Sequence, residues 1–404
     1  MRKGICNKMI TKKDIATIRK EFKEDSFKLR IKDLFVVYIQ KGKAEIFHHE
    51  HTAFTMLDAD QQELYRQNFK KVLAGNLDEK LFEIKFNTAI QEDHAQSALL
   101  KATSGSVEDF KEVALDLVAR TVNEENTYED DVIFSFIRAE YRLYEKKKKG
   151  DDQEEDRSMI ENFIFGTMNK TSTPKKALMF DYTNKEFKPN LVLDAMINLT
   201  TPVQGFMFPT FLKTFNVDVN HVLYSTSKKN VWDRYFIENG LHGKMDDVDT
   251  AENEAAYFNE VLHTVLDGKA SPKVISDVFY RINRVIESEQ EEEDYDGSPI
   301  VLDYKDVSNI LIASGVEIED PAEIKAVFKE VVDNEKYEFN AEHIMAQKDI
   351  QIDASLAKVK MSTVDLQKIK QVRQPNGKLT LVIEIDDEVQ VNGLTLQTEE
   401  AEEI

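Results

Sequence analysis

The hydrophobic period of this chain changes repeatedly between two residues and 3.6, and that alternation confines it to a mixed architecture. Thr11-Lys12-Lys13-Asp14 is a capping box for a first helix over about 11–24, followed by Ile15, Ile18 and Phe22 at helical spacing. Leu34 to Ile39 reads as a strand, Lys41-Gly42 as a turn, and Ala44 to Phe47 as the returning half of a hairpin. From Asp58 the period lengthens: Leu64, Tyr65, Phe69, Val72 and Leu73 mark one helical face, with Gly75 at the C-cap. Leu81 to Phe86 alternates as a half-buried strand does. Two helices follow, the second capped by Ser106 and Asp109.

Val132 to Tyr144 is rich in β-branched and aromatic residues, and a β-rich region continues through 160–168, 176–182 and 191–199, with an exposed loop expected near 146–156. Thr201 to Pro209 is unusually apolar for a segment with two prolines and a glycine, which predicts a buried or edge-strand crossing. From residue 250 two helical stripes follow, one through Phe258, Val261 and Leu262, the other begun by Pro272. Shorter helices are expected at about 304–314 and 320–333, then strands to the end, including a hairpin around Asn392-Gly393. The expected fold is α+β, with four parts. Residues 1–200 form a mixed front domain with a largely antiparallel sheet, and 201–288 a central block and helical region. Residues 289–297 form an acidic linker, and 298–404 hold short helices followed by a small β-rich element.

Composition narrows the class. With 41% hydrophobic residues, 24 Phe and 13 Tyr, the 404-residue chain has ample material for a core. No stretch reaches the roughly 18 apolar residues of a membrane-spanning helix. Met1 to Ile10 carries basic residues without an apolar segment behind them, which argues against a secretory signal and for a cytoplasmic protein. The lone Cys6 can form neither an internal disulfide nor a thiolate metal site.

Charge is lopsided. Residues 1–43 hold 13 Lys and Arg against five acids in a chain of net charge −22, so the rest carries −30. Lys12, Lys13, Arg19, Lys20 and Lys23 on a helix, with Arg30 and Lys32 on a strand, form a basic head able to meet phosphates or a partner protein. Docking on the acidic body, within the chain or between subunits, is the favoured reading over nucleic acid, because charge asymmetry licenses association but no particular partner.

His48-His49-Glu50-His51 is the candidate metal site. On an extended segment only His49 and His51 share a face, so a third ligand such as His94 or His221 has to come from elsewhere. Glu292 to Asp303 copies a calcium loop superficially, but departs from it at positions one, eight and twelve. Phosphate loops, dinucleotide fingerprints and nucleophile elbows do not occur, and no cofactor is implied. Asp246-Asp247-Val248-Asp249 and Asp386-Asp387-Glu388 read as solvated turns. Phe206, Phe208, Phe211 and Phe215 read as core, and Trp232 and Tyr235 beside Lys228, Lys229 and Arg234 as a small aromatic–basic patch.

Three blocks carry a resemblance. Thr11 to Phe22 resembles the start, Gly205 to Pro209 with Asp218 to Thr226 the centre, and Leu381 to Asp387 with Val389 to Leu394 the end of one family. It is a family of uncharacterised bacterial cytoplasmic proteins, mainly Gram-positive, catalogued as a domain of unknown function. The resemblance implies no catalytic residue, cofactor or ligand. A looser likeness, in layout alone, is to nucleoid-associated proteins of about this size. The expected function is non-catalytic binding or assembly, with a protein partner or self-association and no membrane. The alternative is a nucleic-acid-associated protein using the basic head, and a metal-dependent enzyme around His49 and His51 ranks third.

Overall fold

A computed structural model describes residues 10–90, 94–144, 158–172, 178–181, 186–189, 196–212, 216–245, 250–267, 271–292, 295, 297–345, 349–354, 357–362, 365, 368–386, 388–391 and 394–395. The chain divides into two compact units, Met1–Thr250 with Asp296–Ser298, and Ala251–Tyr295 with Pro299–Ile404.

The first unit runs α1 (Lys12–Lys20), β1 (Leu29–Ile39), β2 (His48–Ala53), α2 (Ala59–Val72), β3 (Leu81–Phe86), α3 (Ala95–Ser104), α4 (Val107–Thr121), β4 (Val132–Tyr144) and β5 (Ser158–Ser172). It continues with β6 (Leu178–Asp181), β7 (Glu186–Pro189), β8 (Met196–Ile197), β9 (Gln204–Phe208), β10 (Thr210–Leu212), β11 (Asn216–Asp218), β12 (His221–Thr226) and β13 (Gly243–Lys244). The main sheet has the order β13-β3-β12-β9-β5-β4-β1-β2, and the pairings that build it are antiparallel.

Alternation along the strands sorts their side chains into two cores, one on each face. Phe134, Phe136, Ile164, Met168, Phe206, Phe208, Val222 and Tyr224 pack with Leu99 of α3 and with Phe110, Leu117 and Val118 of α4. Ile137, Ala139, Phe163, Phe165, Met207 and Leu223 pack on the other face with Ile15 and Ile18 of α1 and Phe69 and Val72 of α2. Burial on both faces explains why β9 is apolar after its first residue, Gln204. The Thr201 to Pro209 segment is a central strand between β5 and β12, and it stops at the residue before Pro209, which has no N–H for a ladder.

One irregularity governs β1. A register shift between Ile31 and Asp33 inverts which side chains face which core. Leu29 and Ile31 pack on the α1/α2 side, whereas Phe35, Val37 and Ile39, of the same parity, pack on the α3/α4 side. The inversion brings Asp33 to Arg138. The returning strand also differs from expectation: it is His48–Ala53, not Ala44 to Phe47, so the histidine cluster is itself the edge strand.

The expected boundary at 200/201 falls inside the first unit, because β9 and β12 complete its sheet. The second unit comprises α5 (Ala251–Val265), α6 (Pro272–Glu291), β14 (Val301–Leu302), α7 (Tyr304–Ala313), α8 (Pro321–Val332), β15 (Phe339–Asn340), α9 (Ala341–Ile344) and the strands β16 (Asp349–Ala354), β17 (Ala357–Ser362), β18 (Ile369–Arg373), β19 (Leu379–Ile383), β20 (Gln390–Val391) and β21 (Leu394–Thr395). Its helices share a core of Phe258, Val278, Ile282, Leu311, Phe328 and Phe339, and the last six strands form three separate hairpins. The first residues of the expected acidic linker, Glu289 to Glu291, are the last turn of α6. The expected loop at 146–156 lies outside the described residues. Among the described residues no helix is long and apolar enough to cross a membrane.

Candidate binding cavity

Four neighbouring strands of the main sheet end together. The register sets Val132 opposite Lys170, Met168 opposite Gln204, and Gln204 opposite Thr226. The loop entering β4 and the segment leaving β12 therefore emerge at the same end. Between them they line a cavity of about 440 Å³.

Its polar wall is a connected network. The Tyr224 hydroxyl donates to Gln204 Oε1 at 2.5 Å, and Gln204 Nε2 donates to Asp233 Oδ2 at 3.1 Å. The Tyr128 hydroxyl donates to the same Asp233 oxygen at 3.4 Å, while Oδ1 accepts from the Phe236 N–H at 2.9 Å. The Asp233 N–H closes the ring by donating to the Tyr224 hydroxyl oxygen at 3.1 Å. Burial raises the titration of both Tyr128 and Tyr224 above the ordinary 10.0, and the negative charge of Asp233 adds to it, so both hydroxyls remain donors.

Each participant is held by its surroundings. Gln204 is the first residue of β9 and is buried, as is Tyr224 of β12, which β9 and β5 separate from β4. Trp232 is set edge-on against Phe82, ring centres 5.3 Å apart, and Tyr128 leans on Phe134 at 5.9 Å. The loop before β4 is anchored by Asp131, which accepts from the Tyr38 hydroxyl at 2.9 Å and the Lys41 N–H at 2.7 Å. At the rim Lys170 meets Asp130 at 2.5 Å, and this bond holds the Asp130 carboxyl below its usual range.

The residues singled out from sequence are distributed differently. His49 and His51 share a face of β2, as the spacing predicts; the His49 ring lies 5.6 Å from that of Phe35, and His51 Nε2 is 3.0 Å from Asp33 Oδ1. Asp33 in turn accepts from Arg138 Nε at 2.8 Å, and Arg138 donates to the carbonyls of Gly105 and Ser106 at the α3–α4 junction. His94 caps α3 and His221 pairs with Asp218 at 2.7 Å. Among the described residues no group of three or more His, Cys, Asp or Glu is arranged to hold a metal ion. Glu293, Asp294 and Asp296 of the calcium-like loop, and Asp246 to Asp249, lie outside the described residues, while Asp303 caps α7.

In the basic head, Lys12, Lys13, Lys20 and Arg30 are exposed. Arg19 reaches the Leu73 carbonyl at 3.4 Å, Lys23 meets Asp25 at 3.4 Å, and Lys32 meets Glu140 at 2.5 Å. Phe206, Phe208 and Phe211 are core, as expected, while Phe215 lies outside the described residues. Trp232 and Lys228 of the aromatic–basic patch line the cavity, whereas Lys229 pairs with Glu79, Arg234 with Glu238, and the Tyr235 hydroxyl with Asn123.

The three blocks that carry the resemblance all fall within residues 10–394, over which a family profile matches the chain. The chain belongs to the family described as Domain of unknown function (DUF4317). No curated protein matches it. Gly205 to Pro209 and Asp218 to Thr226, two of the stretches that carry the resemblance, fall largely in β9 and β12, the neighbouring strands joined by the Gln204–Tyr224 bond. Tyr128, Gln204, Tyr224 and Asp233 were not among the residues singled out from sequence. The available signal was Gln204, a polar residue opening a strand that is otherwise apolar.

Proposed function

We propose that this DUF4317 protein is a non-catalytic binding protein, and that its ligand site is the cavity at the ends of β4, β5, β9 and β12. The supporting observation is the closed network of Tyr128, Gln204, Tyr224 and Asp233 in a cavity of about 440 Å³. A few convergent polar groups in a largely apolar hollow of several hundred Å³ are what small-molecule recognition requires. The same network argues for binding over proton transfer. Asp233 accepts three hydrogen bonds, the two tyrosines are held protonated, and Lys170 is committed to Asp130. We place the protein in the bacterial cytoplasm on the strength of the family resemblance and the single cysteine in 404 residues.

The test is ligand-observed NMR with a fragment library on the full chain, followed by fluorescence of Trp232, the only tryptophan. Fragments that bind should perturb that fluorescence and should be lost in the double variant S227F/V231F, which crowds the lining with little cost to the core because Val231 is 57% exposed. A screen in which no fragment perturbs Trp232 removes this reading. A second reading, association with nucleic acid through the basic head, is supported by the exposure of Lys12, Lys13, Lys20 and Arg30.

A further inference from the structure

Resting on the reading of the cavity as a ligand site, we infer that the group it recognises is an organic cation, an alkylated ammonium with a compact apolar head. The starting point is Asp233. Its carboxylate lines the cavity, and its hydrogen-bond partners among the described residues are the Tyr128 hydroxyl, the Gln204 amide and the Phe236 N–H. All three donors are neutral. An ionised carboxylate offers about four acceptor positions, so three bonds leave one unfilled, and the charge itself has no cationic counterpart in the network. A partly buried charge that lines a cavity without a counterion favours a ligand that brings one.

The remaining wall fits the same chemistry. Tyr128 and Trp232 are half-buried in the cavity lining, and aromatic rings of this kind attract cations, while the fully buried Tyr224 contributes through its hydroxyl. Met168, also in the lining and beside Gln204, supplies a polarisable apolar surface suited to methyl groups. The rim lysine that could compete, Lys170, is neutralised by Asp130 at 2.5 Å, and Lys228 is exposed to solvent. A phosphate or carboxylate ligand would face the Asp233 charge directly. A purely apolar ligand would leave that charge without compensation.

The experiment compares two probes of nearly equal shape and opposite status: choline, and 3,3-dimethylbutan-1-ol, in which carbon replaces the quaternary nitrogen. Titration of the full-length protein by calorimetry, with Trp232 fluorescence as a second readout, should give choline at least a tenfold tighter binding than the alcohol. Asp233→Asn should shrink that ratio to near one, with intact folding checked by the emission of Trp232. If the alcohol binds as well as choline in the unaltered protein, the cation inference is wrong while the cavity remains a binding site. If neither probe nor any library fragment perturbs Trp232, both the inference and the reading beneath it fall. The wild-type comparison decides the matter even if Asp233→Asn does not fold.

Discussion

Glu83 is the group whose titration should be most visible in the stability of the first unit. It lies in β3 opposite Leu223, and its Oε1 accepts the Ile10 N–H at 3.0 Å. Burial is the main cause of its perturbation. The Ile10 bond and the charge of His221 pull its titration down, Asp218 and Asp78 push it up, and the result stands at about 7 against an ordinary 4.5. His221 is itself raised by its bond to Asp218. Between pH 4.5 and 7 the folded protein holds a proton that the unfolded chain has released, so stability falls as pH rises through that window and levels off above it. At about 1.4 kcal/mol per pH unit, the shift amounts to a loss of about 3 kcal/mol by pH 8. Glu83→Gln keeps an acceptor for Ile10 and removes the charge. It should match the parent near pH 4.5 and exceed it by up to about 3 kcal/mol at pH 8. Urea titrations followed by Trp232 isolate this unit, because the only tryptophan packs on Phe82, the neighbour of Glu83. A stability difference between variant and parent that stays constant from pH 5 to 8 refutes the argument.

Other consequences follow from the same contacts. Asp33→Asn leaves the buried Arg138 guanidinium without its carboxylate and should cost about 3–5 kcal/mol; Arg138→Met should cost less because His51 still faces Asp33, and the double replacement should recover much of the first loss in the same urea assay. Gly166→Ala would set a Cβ 2.5 Å from Phe206 and 3.1 Å from Phe136, in the middle of the sheet. Overpacking of this kind costs about 1–3 kcal/mol, and a thermal midpoint equal to the parent's would contradict it. Ser106→Ala removes one half of the α4 capping box and should cost about 1 kcal/mol, seen as faster amide exchange in the first turn of α4. For the nucleic-acid reading, Lys12, Lys13, Lys20 and Arg30 changed together to Glu should abolish a low-salt gel shift; no shift by the parent protein at low salt ends that proposal.

What could be read from sequence and what could not divides along a physical line. Capping boxes at Thr11, Asp58, Ser106 and Asp303 satisfy backbone groups within four residues, so the helices they begin are local properties, and their starts lie where the spacing predicts. Sheet order is not local. Nothing within Thr201 to Pro209 reveals that β5 lies on one side and β12 on the other, and an apolar run with two prolines reads equally as an edge or a centre. The bulge at Ile31/Asp33 compounds this: with an uninterrupted alternation Asp33 would lie on the face of Leu29 and Ile31, away from Arg138, and the ion pair could not form. The cavity depends on both non-local steps. Its four network residues come from the loop before β4, the start of β9, the end of β12 and the turn beyond it, spanning 105 positions between Tyr128 and Asp233. Only the antiparallel register, which returns each of those ends to the same edge, brings them within hydrogen-bonding distance. Chemistry assembled in this way leaves no spacing motif. The compact clusters that did stand out, the three histidines and the basic head, stood out because they are contiguous, which is a property of the chain and carries no information about what a ligand meets.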